Sequence, residues 1–195
     1  MSNENAEQVI SARRVYEGRI LNLRVDTILL PNGKSAQREI VEHHGAVAIV
    51  PLIDPETVIM VRQYRHPANA ALLEVPAGGL EPGEDIAECA HRELSEEVNL
   101  AARHMIKLFE SYVAPGYSTE LIHTFLAYGL HEKPGKPDED EFIEIERVKL
   151  ADVPGMIARG EIRDGKSIGG LLETLRILPT LQFDKEAAPD VSGAE

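Results

Sequence analysis

The run Ala46-Val-Ala-Ile-Val-Pro-Leu-Ile53 constrains the fold more than any other segment. It carries no polar side chain, as in a strand buried on both faces. Asp54-Pro55-Glu56 turns it into a second strand, Thr57–Arg65. Leu72–Val75 reads as short and extended, and Pro76-Ala77-Gly78-Gly79 forces a loop, because glycine admits backbone conformations that other residues resist. Upstream, Val15–Ile20 and Leu23–Leu30 lead into Pro31-Asn32-Gly33, a strong turn signal, after which Lys34–His43 returns antiparallel. Further strands are expected at 105–113, 121–129 and 142–149, with helices near 152–159 and 168–178. Strands on both sides of a helix, followed by closing helices, predict an α/β (α+β) fold with a mixed sheet flanked by helices.

The 195 residues suit one domain, or one core with a small appended unit. The single Cys89 excludes an internal disulfide framework and Cys-based zinc sites, and fits a reducing, cytoplasmic compartment. No apolar run reaches 18 residues and no signal-peptide pattern opens the chain, so no membrane association is expected. Residues 1–12 read as polar and loose, and the stretch from Asp184 as a tail poor in apolar residues. The formal charge of −13 argues against a nucleic-acid partner, which relies on basic surface. By itself it also repels any phosphorylated small molecule.

The best helical signal spans Asp85 to Val98. At about 100° per residue, Ile86, Ala87, Ala90, Leu94 and Val98 form one apolar arc. Glu93 and Glu97 share a face at the edge of that arc, where a solvated charge does not belong, and Glu96 sits beside Glu93. Carboxylates crowded at a partly buried edge require a cation or a proton. Hard divalent ions such as Mg²⁺ or Mn²⁺ prefer such oxygen donors. The other reading of a Glu-Leu-Ser-Glu-Glu run is an acidic solvated face.

The spacing from the glycine-rich loop bears on that choice. Gly78, five residues, Glu84, seven residues, then Arg92-Glu93-Leu94-Ser95-Glu96-Glu97-Val98-Asn99-Leu100 resembles the Nudix box, and eight of its nine defined positions match. Asn99 stands where the family has Gly, and Asn is the next most tolerant residue for a left-handed helix cap. The resemblance implies an α/β/α sandwich that hydrolyses nucleoside diphosphates linked to another moiety. By position, Glu93 and Glu97 become the principal metal ligands and Glu96 a third, while Arg92 and Glu84 hold loop and helix together.

The flanks are similar to the ADP-ribose pyrophosphatase group of that family. Leu73-Glu74-Val75-Pro76-Ala77-Gly78-Gly79 precedes the box, and Pro115 follows its end by fifteen residues in Ala114-Pro-Gly-Tyr-Ser-Thr-Glu120. This likeness implies a metal-binding carbonyl at Ala77 and two or three Mg²⁺ or Mn²⁺ ions per site. It makes Glu139 the general base and Glu141 a further ligand, with Glu120 the weaker substitute for either. Arg65 then contacts phosphate or ribose, Arg38 is a second candidate, Tyr16 stacks on adenine, and Pro115, Gly116 and Ser118 line the substrate loop. It also implies a homodimer with exchanged N-terminal strands. The expected organisation is an N-terminal β unit at 1–44, a hydrolase domain at 45–180 and a disordered tail at 181–195. The expected reaction is hydrolysis of ADP-ribose to AMP and ribose 5-phosphate. GDP-mannose or another nucleotide sugar is the alternative substrate, and a non-catalytic ADP-ribose sensor the alternative class.

Overall fold

The computed structural model describes residues 6–136 and 142–183. The chain divides into two units, one running to Gly45 and including Ser111–Leu121, the other made of Ala46–Glu110 and the chain from Ile122 onward.

The N-terminal unit is a three-stranded antiparallel sheet of β1 (Gln8–Glu17), β2 (Asn22–Leu29) and β3 (Ser35–Glu42), in that order. Gly33 adopts φ +78° in the β2–β3 turn and donates to Leu30 O at 2.9 Å, a geometry that favours glycine. The loose segment expected at 1–12 is corrected here, since β1 starts at Gln8 and pairs with β2 from Gln8↔Leu29 onward. Backbone pairing does not need buried side chains, and the exposed Val9 and Ile10 follow a polar stretch and show no burial pattern that would mark a strand. The 117–119 backbone adds to the β3 end through Val41 N→Tyr117 O at 2.8 Å and Thr119 N→Val41 O at 2.9 Å.

The larger unit is built on one mixed sheet. Its strands are β4 (Ala46–Asp54), β5 (Thr57–Arg65), β6 (Ala70–Glu74), β7 (Ala77–Gly79), β8 (Leu100–Tyr112), β9 (Leu121–Glu132) and β10 (Ile143–Lys149). The order is β10-β5-β4-β9-β8, with β6 on β5 and β7 on β4. Strand β4 runs parallel to β9, whereas β5 is antiparallel to both β4 and β10. The loop expected at Pro76–Gly79 is in part a short strand, β7, paired with β4 from Ala46↔Gly79 to Ala48↔Ala77. Small side chains let this backbone lie flat against its neighbour. Strand β8 begins at Leu100 rather than 105, and β9 runs to Glu132 rather than 129.

Helix α1 (Ile86–Val98) covers one face of the sheet; α2 (Val153–Ala158) and α3 (Gly165–Ile177) belong to the other. Strand β4 is buried on both sides, as its apolar run predicts. Val47 and Ile49 pack with Cys89, Ala90, Leu94 and Val98 of α1. Ala48, Val50 and Leu52 pack with Val153, Ile162 and Leu171. Each large side chain removed from water here contributes about 1.5–3 kcal/mol. Gly170 lets α3 approach closely, because a Cβ there would lie 2.9 Å from Val50 Cγ2. Packing continues past residue 180, where Leu181 and Phe183 lie against the same core and the Phe183 ring sits 5.4 Å from Tyr128. Among the described residues no helix is long and apolar enough to cross a membrane.

The α1 C-cap shows how Asn replaces Gly. Asn99 takes the left-handed conformation at φ 56°, ψ 33°, and its N–H reaches Leu94 O and Ser95 O. Its side chain adds what glycine cannot, with Asn99 Oδ1 accepting from Gly135 N at 3.2 Å. Asn99→Ala should therefore lower unfolding free energy by about 1.5 kcal/mol, through left-handed strain and the lost hydrogen bond. Urea denaturation checks this, and an unchanged midpoint contradicts it.

Candidate active site

The site is assembled by the second half of α1 and the short strand β7 facing it. Asp85 caps the helix, its Oδ1 accepting from Ala87 N at 2.8 Å and Glu88 N at 3.3 Å. The apolar arc then turns Cys89, Ala90, Leu94 and Val98 into the core. The same rotation carries Glu93 and Glu97 to the boundary, where they keep only 8% and 6% of their surface. Glu96 is more open, at 32% for its side chain.

Strand β7 meets these carboxylates with its backbone. A Cβ built on Gly78 would lie 2.0 Å from the Glu93 carboxyl carbon, so the space of a side chain is filled by that carboxylate. One residue earlier, Ala77 N donates to Glu97 Oε2 at 3.2 Å. The box glycine thus has a steric role, since only a residue without Cβ allows Glu93 to lie where it does.

Arg92 supplies the countercharge. Its Nε and Nη2 hold Glu84 at 2.8 and 2.9 Å, its Nη1 holds Glu93 at 2.7 Å and Glu96 at 2.9 Å, and Nη2 also donates to Gly79 O at 3.2 Å. The Arg92 hydrogen bonds, together with the Glu81 backbone N–H, draw the Glu84 carboxyl below the usual carboxylate range to about 2. The same bond to Glu84, reinforced by Glu96 and Glu93, raises Arg92 itself. Burial, and then the neighbouring Glu84, push the Cys89 thiol up to about 12, so Cys89 packs as a neutral side chain.

A second charged cluster lies at the end of β6. Arg65 forks onto Glu74, with Nε to Oε1 at 3.1 Å and Nη2 to Oε2 at 2.9 Å, and Lys166 Nζ reaches Glu74 Oε2 at 2.5 Å. Burial alone would raise Glu74, but Arg65 and Lys166 together hold it below its ordinary value. The Glu74 bond raises Arg65 against the opposing effect of burial, and the charge of Glu97 contributes, which ties this cluster to the α1 carboxylates. Of these residues only Arg65 was singled out from the sequence. The available signals were a lone Glu inside the apolar stretch Leu72-Leu-Glu-Val75 and the capping pattern Asp164-Gly-Lys-Ser167.

The remaining expected residues fall as follows. Arg38 belongs to the N-terminal unit, pairs with Glu7, and lines a cavity of about 310 Å³ with Pro115, Gly116 and Ser118. Tyr16 is 57% exposed on β1, its ring against Gly18, and is not among the residues lining that cavity. Glu139 and Glu141 lie outside the described residues.

The side chains suit a divalent cation. The α1 donors are all carboxylate oxygens at a partly buried edge, the chemistry that Mg²⁺ and Mn²⁺ prefer, and Gly78 leaves the Glu93 carboxylate its place. Among the described residues no three His, Cys, Asp or Glu side chains already converge on one point. Instead Arg92 engages Glu93 and Glu96.

Residues 42–168 match the NUDIX domain model, and residues 7–41 match the model described as the nucleoside diphosphate sugar hydrolase N-terminal domain. The chain belongs to the Nudix family. Hydrolases of this family generally use divalent metal ions. The chain is 38% identical over 181 residues to an ADP-ribose pyrophosphatase of Bacillus subtilis (strain 168), covering 92% of this chain and 97% of that protein. It is 36% identical over 149 residues to a GDP-mannose pyrophosphatase of Yersinia enterocolitica, covering 70% and 78%. A crystal structure of an ADP compounds hydrolase shares the Nudix fold, with a TM-score of 0.80 and 24% identity over 89% of this chain and 95% of that one.

The Arg92–Glu84 pair makes stability depend on acid. Ionised Glu84 stabilises the fold above its unfolded value near ~4.3, and that contribution is lost as pH falls from there through about 2. The drop in unfolding free energy between pH 6 and pH 3 should be smaller in Glu84→Gln than in the wild type by about 1 kcal/mol, allowing for solvent screening. Parallel pH profiles for the two proteins contradict this.

Proposed function

We propose that this Nudix hydrolase cleaves the diphosphate of ADP-ribose to AMP and ribose 5-phosphate, or that of a similar nucleoside diphosphate sugar. The observation that carries the reading is the box, matched at eight of its nine defined positions, with Glu93 and Glu97 buried against β7, in a chain matched over nearly its full length by an ADP-ribose pyrophosphatase. The match to a GDP-mannose pyrophosphatase favours that nucleotide sugar as the second substrate candidate. The full set Glu93, Glu96 and Glu97 weighs against a binding-only sensor, which has no use for a metal cluster.

Glu93, Glu96, Glu97 and the Ala77 carbonyl would hold Mg²⁺ or Mn²⁺, two or three ions per site, with Glu141 as an added ligand. Held there, such ions would neutralise charge developing on the diphosphate and would lower the pKa of a water. Arg92 keeps Glu93 and Glu96 in place and limits their mutual repulsion. Arg65, its Nε and Nη2 fixed by Glu74, offers the other edge of its guanidinium to phosphate oxygens. Glu139 accepts the proton of the attacking water. Water adds to one phosphorus in line, and the bond from that phosphorus to the bridging oxygen breaks. Arg38, Pro115, Gly116 and Ser118, which share one cavity, are read as substrate contacts and Tyr16 as the adenine stack.

The reading includes a cytoplasmic homodimer with exchanged N-terminal strands. Its support is β1, whose ten residues are all exposed, Val9, Ile10, Val15 and Tyr16 among them. A bare strand edge flanked by apolar side chains is a site for pairing with a second chain.

A hydrolysis screen over ADP-ribose, GDP-mannose, FAD and dinucleoside polyphosphates, with and without Mg²⁺, tests the reading. AMP should form from ADP-ribose only with metal, and Glu97→Gln should lower turnover by roughly 10²-fold or more while the protein stays folded. No product from any nucleotide sugar, or unchanged turnover in Glu97→Gln, contradicts it.

A further inference from the structure

Four consecutive residues, from the last of β6 to the first of β7, are each anchored by different partners. Glu74 is held through its carboxylate by Arg65 and Lys166. Val75 N donates to Ser167 Oγ at 2.8 Å, Pro76 O accepts from Ile49 N at 2.8 Å, and Ala77 N donates to Glu97 Oε2 at 3.2 Å. Two of the five anchoring residues, Lys166 and Ser167, come from the first turn of α3. Both return to one capping carboxylate, since Asp164 Oδ2 accepts from Lys166 Nζ at 2.9 Å, Ser167 N at 3.0 Å and Ser167 Oγ at 2.6 Å.

The charges along this chain alternate as Asp164, Lys166, Glu74 and Arg65, and they sum to zero. They are also withdrawn from water. The Glu74 side chain is 3% exposed and the Lys166 side chain 12%, so screening is weak and each charge needs its neighbour. Arg65 ends the chain on the side that feels Glu97.

We propose that Lys166 is a positioning residue for substrate binding: by balancing Asp164 and Glu74 it leaves the positive field of Arg65 available to a diphosphate, while Val75, Pro76 and Ala77 keep their own anchors. The inference rests on the hydrolase reading above. Without the ammonium, the cluster gains one net negative charge beside an acidic site, and Arg65 alone must compensate the buried Glu74. An anionic substrate then binds less well, while groups that act on the reacting phosphorus stay where they were.

Steady-state kinetics on whichever nucleoside diphosphate sugar the wild type turns over fastest with Mg²⁺, read beside thermal melting, tests this. Lys166→Met should raise KM about tenfold and keep kcat within about threefold. Adding Asp164→Asn, which keeps a capping side chain and restores the charge balance, should bring KM back to within about threefold of the wild type. Asp164→Asn alone leaves Lys166 in excess and should lower KM by about threefold; this variant decides the matter should Lys166→Met not fold. A melting shift with wild-type KM in Lys166→Met, a KM rise that Asp164→Asn fails to reverse, or a KM in Asp164→Asn alone that is unchanged or raised overturns the inference. A wild type that turns over no nucleotide sugar overturns the hydrolase reading instead.

Discussion

Three carboxylates share one guanidinium at the edge of α1, and the rest of the site depends on that arrangement. Glu93 and Glu96 lie on successive turns, with Glu97 beside them, a spacing that destabilises a bare helix. Arg92 makes it tolerable by bonding Glu93 and Glu96 from the same helix and Glu84 from the preceding loop. The helix therefore cannot shift without pulling the loop, and the loop cannot open without exposing carboxylates to one another. Glu84, drawn down to about 2, is the member that ties the chain before the helix to the acidic edge.

Opposite this edge, the sheet contributes backbone rather than side chains. Strand β7 is only three residues long, yet it carries Ala77 N to Glu97 and leaves at Gly78 the gap that Glu93 fills. Its place is set from both ends, by β4 pairing on one side and by the Glu74–Val75 anchors from α3 on the other. A sheet that is apolar on both faces thus ends in a polar rim, with α1 closing one side and the α3 N-terminus supplying charge. The net charge of −13 is compatible with a phosphorylated substrate on the proposed reading, in which acids gathered at one rim would recruit cations instead of repelling the ligand.

Much of this was legible in the chain. The apolar run at 46–53 reads directly as a two-faced strand, and the arc Ile86–Val98 as a helix with Glu93 and Glu97 at its edge, because burial imposes a period on side chains. Asn99 reads as a helix cap because few residues accept a left-handed backbone. What escaped notice lacks such a period. Residues 8–12 form a strand whose pairing is purely main-chain and whose side chains are all exposed. Ala77–Gly79 pairs as a strand although its composition is that of a loop. Glu74, Asp164, Lys166 and Ser167 come together from segments about ninety residues apart, a proximity no local pattern carries.

On the proposed reading, Gly78 gives the Glu93 carboxylate the room it needs to help hold a cation. Adding a single methyl group tests it, because the atoms a Cβ would displace are the far end of a flexible side chain and not backbone. Mn²⁺ binding to the wild type and to Gly78→Ala, followed by electron paramagnetic resonance of the free ion, is the direct measurement. Affinity should weaken at least about tenfold in Gly78→Ala with the melting temperature little changed. Equal Mn²⁺ affinity in two folded proteins would contradict it.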